Sequence, residues 1–113
     1  MDINNVDNEY FDLDDALARI GGNMSLYKRL LGRFIEGNHF EDLERALQSG
    51  DTEEAARQAH SLKGVSANLS LTKIRSLSVE LEQLLKDNAD YTDCLAELKQ
   101  AFITTVEKAS EIG

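Results

Sequence analysis

The chain has 113 residues, with 21 Asp and Glu against 12 Lys and Arg for a net charge of −9, a single Cys and no Pro. That length suits one small domain spanning residues 1–113, which buries about two thirds of its unfolded surface around a single core, and the acidic balance argues against nucleic acid as a partner because the phosphate backbone would repel the chain. Cys94 has no second Cys to pair with, which favours a reducing cytoplasm over a cross-linked secreted scaffold.

Met1 to Glu9 carries three acids and no base, the reverse of a signal peptide's positive start, and no apolar run approaches the roughly 20 residues of a membrane span. Abundant Leu, Ala, Glu, Lys and Arg without Pro favour helices throughout. A short opening helix is expected from Asp12 to Ile20, on Phe11, Leu13, Leu17 and Ile20, and Gly21-Gly22 stops it. The second helix is expected from Met24 to Gln48, on a stripe through Leu26, Leu30, Leu31, Phe34, Ile35, Leu43 and Leu47, with a bend at Gly37-Asn38.

Gly50-Asp51 reads as a stop followed by a start, Asp51 capping the third helix and Glu54 completing a capping box. That helix is expected from Thr52 to Leu69. Ser70 is the expected cap of the fourth, in which Ile74, Leu77, Leu81, Leu84 and Leu85 recur until Asp87-Asn88. Asp90 is expected to cap the last, where Leu95, Leu98, Phe102, Val106 and Ala109 repeat at three and four residues. The pattern predicts an all-α fold, an antiparallel four-helix bundle preceded by a short N-terminal helix.

The third helix carries the chemistry. Ala55, Ala59, Leu62, Ser66 and Leu69 fall at steps of four, three, four and three and form an inward face. A second stripe of Arg57, His60, Lys63, Gly64 and Ala67 falls largely on the far side and is expected to face solvent. Glycine costs about 1 kcal/mol relative to alanine inside a helix, so Gly64 needs a reason: one turn beyond His60, it clears the approach of a large group to the imidazole. Between Glu54 and Glu80 there is no acid, and Arg57, Lys63, Lys73 and Arg75 give this window +4 while the rest of the chain carries −13. An acid-free zone around an exposed histidine suits a doubly charged phosphoryl group, whose charge Lys63 can offset.

The run Ala59-His60-Ser61-Leu62-Lys63-Gly64-Val65-Ser66-Ala67-Asn68-Leu69 resembles the signature of histidine-containing phosphotransfer domains, the intermediates of bacterial two-component phosphorelays. The segment from Phe11 to Tyr27, with Gly21-Gly22 and Leu26-Tyr27, is similar to the family's opening. The resemblance implies that His60 is the phosphoacceptor, Lys63 the positive group beside it and Gly64 the clearance for the partner, with Arg57 and Ala67 on the same contact stripe. It further implies exchange with an aspartyl phosphate of a receiver domain, free or within a hybrid sensor kinase, that contributes the Mg2+. Such a domain needs no cofactor of its own, holds no metal, and acts as a monomeric phosphocarrier rather than an enzyme. One departure is that Ser70 stands where the family often has glycine.

Other readings are weaker. Glu36-x-x-His39 matches the local motif of di-iron bundles, but those need a second such pair and two further Glu, and residue 57, three before His60, is Arg, so a metal enzyme is disfavoured and His39 reads as surface. Ser61 and His60 are consecutive and point about 100° apart on a helix, which excludes a dyad. No P-loop, Gly-rich nucleotide loop or kinase motif appears, so phosphorylation from ATP is not expected. The competing function is a non-catalytic helical adaptor.

Overall fold

Each helix among the described residues starts or stops where a short polar residue or a left-handed turn takes over the backbone hydrogen bonds. The computed structural model describes residues 10–110, so Met1 to Glu9, read above against a signal sequence, lies outside the described residues. Six helices form among them: α1 (Leu13–Arg19), α2 (Met24–Glu36), α3 (His39–Gln48), α4 (Thr52–Asn68), α5 (Thr72–Lys86) and α6 (Thr92–Ala109). No helix among the described residues is long and apolar enough to cross a membrane.

Two local expectations hold in detail. The side chain of Asp12 accepts from the Asp15 amide at the start of α1, and Gly21 and Gly22 follow with φ of +72° and +79°, the left-handed conformation that glycine adopts without penalty. At α4 the side chain of Asp51 accepts from the Glu54 amide. Asp90, expected to cap the last helix, is displaced from that role: it accepts from the Thr92 amide, but Tyr91 holds the cap position without a side-chain hydrogen bond.

Three others are corrected. The helix expected over 24–48 is broken, not bent. Gly37 leaves α2 in an extended conformation, and the ring of His39 folds back over it, so that a Cβ on Gly37 would lie 2.9 Å from His39 Nε2. The same ring stacks on Phe34 at 4.8 Å, which makes His39 a packing residue at the break. The capping box is half formed. The Asp51 amide donates to the Ala46 carbonyl, closing the turn after α3, and Glu54 turns instead to Arg57 and Gln58.

Ser70, expected to cap α5, does not do so; Leu71 holds that position without a side-chain hydrogen bond. Ser70 has a φ of +54°, and the Leu71 amide donates across it to the Ser66 carbonyl at 2.8 Å, the hydrogen bond of a Schellman turn. This is the left-handed position that favours glycine. The serine is tied in place by α1: its carbonyl accepts from the Asp12 amide at 2.8 Å, and its hydroxyl donates to Asp15 Oδ2 at 2.6 Å. Hydrogen bonds from Ser70 and Arg19 hold the Asp15 carboxyl below the usual range. Ser70→Ala and Ser70→Gly both lose the hydroxyl, so their difference isolates the backbone. Ser70→Ala is expected to be less stable than Ser70→Gly by about 1 kcal/mol, as read by thermal melting; equal midpoints would show that the turn carries no left-handed cost.

The core is built from the predicted apolar stripes. Ala55, Ala59 and Leu62 of α4 meet Ile74, Leu77, Leu81 and Leu85 of α5, with Leu43 of α3 and Leu98 of α6 also buried. Contact between α4 and α5 is the most extensive; α3 also packs on α4, and α6 on α5. The small buried side chains of Ala55, Ala59, Ser66 and Ser78 let the α4 and α5 backbones approach closely. Tyr27 of α2 donates to the Leu69 carbonyl just past α4 at 3.0 Å, satisfying one of the acceptors a helix end leaves open.

Candidate functional site

The inward face of α4 is covered as expected: Ala55, Ala59, Leu62, Ser66 and Leu69 are buried. The second stripe faces outward. Arg57, His60 and Gly64 are exposed, and Lys63 and Ala67 are half-buried. The imidazole of His60 is 64% exposed, on the wall of a groove between α4 and α5 that Arg57, Ser61, Glu82 and Lys86 also line. At Gly64 an added Cβ would meet nothing within 4 Å. Close helix packing therefore does not explain this glycine, and the space over that turn is open to another molecule.

Arg57 is engaged, donating to Glu54 at 2.8 Å and to Glu53 at 3.4 Å. Both acids also sit in the first turn of α4, where they complement the helix dipole. The guanidinium is thus a rim charge already balanced within its own helix.

The acid-free zone read along the chain is corrected in space. Glu82 of α5, only 11% exposed, places Oε2 3.1 Å from His60 Nδ1. The same carboxylate receives Lys63 Nζ at 3.6 Å and Lys86 Nζ at 2.9 Å. Burial alone would raise the Glu82 carboxyl, but Lys86 foremost, then Lys63 and His60, hold it below the usual carboxylate range. The carboxylate is therefore ionised at neutral pH, and its ion pairs contribute stability that is lost as the solution is acidified through that lowered range. An ionised carboxylate only accepts, so the contact requires the proton on Nδ1. In the neutral ring that leaves the lone pair on Nε2.

Sequence reasoning missed Glu82, although a signal existed. Ile74, Ser78, Glu82 and Leu85 recur at steps of four, four and three, which sets a glutamate into the apolar stripe of α5. A carboxylate on a core-facing stripe has to be paired. Its partner could not be read, because His60 lies 22 positions away on another helix.

The arrangement can present an unprotonated imidazole nitrogen to a partner, hold the opposite nitrogen's proton and place cationic groups alongside, with no group of His, Cys, Asp and Glu among the described residues suited to a metal ion. A family model described as "Hpt domain" matches residues 30–110, and the chain belongs to that family. Its members carry phosphoryl groups in two-component signalling and interact with response-regulator receivers; they are not kinases. Neither a curated protein nor a solved structure matched the chain.

Proposed function

We propose that this chain is a phosphorelay intermediate that accepts and donates a phosphoryl group at Nε2 of His60. The observation that carries this reading is the pairing of an exposed imidazole with a nearly buried carboxylate on Nδ1, in an Hpt domain. In this reading α2 with α3, α4, α5 and α6 make an antiparallel four-helix bundle, led by the short α1, that serves to display α4 for docking. The domain works as a monomer in the cytoplasm, and the partner is a receiver whose acidic pocket holds the Mg2+.

In the forward step the Nε2 lone pair attacks the phosphorus of the receiver's aspartyl phosphate. The N–P bond forms, the P–O bond breaks, and the aspartate leaves with its electron pair. The ring becomes a phosphoimidazolium whose remaining proton stays on Nδ1, shared with Glu82. In the reverse step the receiver's aspartate attacks phosphorus, and the N–P electrons return to Nε2. Because Nδ1 has kept its proton, the leaving group is a neutral imidazole rather than an imidazolate. Little else is needed, since phosphoryl transfer proceeds mainly by positioning and charge stabilisation. Glu82 is thus a positioning residue, and Lys63 stabilises the transferred charge.

The test is to incubate the chain with a receiver bearing a 32P-labelled aspartyl phosphate. The reading expects label on the chain that is acid-labile and alkali-stable, mapping to the peptide containing His60. A stable complex without transferred label would make the chain an adaptor instead.

Lys63 provides a second measurement. Lys63→Ala is expected to slow transfer by about tenfold at low salt, equivalent to about 1.4 kcal/mol in the barrier. Lys63→Arg should keep more of the rate, because the role is one of charge, and the gap should narrow as salt screens the site. Equal rates for wild type and Lys63→Ala at low salt would remove this role.

A further inference from the structure

Glu82 is shared. Its Oε2 accepts from both His60 Nδ1 at 3.1 Å and Lys86 Nζ at 2.9 Å, and the shorter contact is to the lysine. Lys86 stands one turn after Glu82 on α5 and lines the same groove as His60. The other charges facing the ring are accounted for. Lys63 reaches Oε1 at 3.6 Å, and Arg57 is taken by Glu54 and Glu53, of which Glu53 also lines the groove. One carboxylate therefore serves two ammonium groups and an imidazole.

We infer that Lys86 is a positioning residue of the transfer site: by balancing the charge of Glu82, it lets the carboxylate hold the Nδ1 proton without drawing a second proton onto Nε2. The inference rests on the reading of His60 as the phosphoacceptor. The physical basis is that a carboxylate beside an imidazole favours the doubly protonated ring, and more so as the carboxylate's other partners are removed. An imidazolium has no lone pair with which to attack phosphorus. A glutamate in this position gives orientation at the risk of over-protonation, and a lysine on the same oxygen removes that risk. A neutral side chain in place of Lys86 would leave Glu82 with the longer contact to Lys63 and the ring itself.

The experiment compares wild type, Lys86→Ala, Lys86→Arg, Glu82→Gln and Glu82→Gln/Lys86→Ala as full chains. Uptake is measured from a receiver phosphorylated with acetyl phosphate, between pH 6 and 8.5. In parallel, 15N NMR of each unphosphorylated protein follows protonation of the His60 nitrogens, with His39 as internal reference. Lys86→Ala is expected to move the acid limb of the rate profile to higher pH, with uptake about threefold to fivefold slower at pH 6.5 and close to wild type at pH 8.5. The NMR titration of His60 should move the same way, while that of His39 stays. Lys86→Arg should recover most of the loss. In the Glu82→Gln background Lys86→Ala should leave the titration unmoved.

A His60 titration unchanged by Lys86→Ala would overturn the inference, as would a rate loss equal at every pH, which would assign Lys86 to docking. Because the NMR arm needs no receiver, the two readings fail separately. Absence of uptake by wild type would sink the phosphoacceptor reading, whereas the titration alone decides whether Lys86 controls the ring.

Discussion

His60→Gln is expected to abolish phosphoryl uptake, a loss of at least about a thousandfold, with almost no change in melting temperature. Gln has no nitrogen with an available lone pair, since its amide nitrogen is conjugated, so no residual route to the N–P bond remains. Stability should be spared because the imidazole is mostly exposed, and a Gln amide can still donate to Glu82. His39→Gln is the informative counterpart. That ring stacks on Phe34 at the break between α2 and α3, so its loss should lower the melting temperature, by about 1 kcal/mol of stability, while transfer per folded molecule stays at the wild-type rate. The pair is checked by running melting curves and single-turnover transfer on the same samples. Transfer lost with His39→Gln and kept with His60→Gln would reverse the assignment of the phosphoacceptor.

Gly64→Gln is expected to separate stability from activity. An added Cβ there meets no neighbour, and glutamine has the better helix propensity, so the variant should be more stable by about 0.5–1 kcal/mol. The new side chain extends from α4 one turn beyond His60, into the space a receiver's active site must occupy to bring its aspartate to Nε2. Near-attack geometry tolerates little displacement, so transfer should fall by about a hundredfold or more. Gly64→Ala should lie between, with most of the stability gain and a smaller loss of transfer. Thermal melting and receiver-to-chain transfer measured together decide the matter. A destabilised Gly64→Gln would return the glycine to internal packing, and a stable variant with normal transfer would show that clearance over the imidazole is not limiting.

What could be read from the residues in order was whatever depends on spacing within one helix. The inward stripe of Ala55, Ala59, Leu62, Ser66 and Leu69, the outward stripe through His60 and Gly64, and the Asp51 cap all follow from the 3.6-residue period and from side chains that reach only three or four positions. The break after α2 was marked by Gly37-Asn38 but not its depth, because the His39 ring that occupies the glycine's free side folds back from the following helix. Ser70 is legible in the sequence as a departure from glycine. Only the folded chain shows it held in a left-handed turn by α1, through Asp12 and Asp15 some 55 positions earlier. The site divides along the same line. The exposed histidine, its lysine and its glycine belong to a single helix face, where the helical period alone places them together. The carboxylate that holds Nδ1, and the lysine that shares it, come from α5 and reach the ring only in the folded chain, because the register of two packed helices is set by how their small side chains interdigitate rather than by any spacing along the chain.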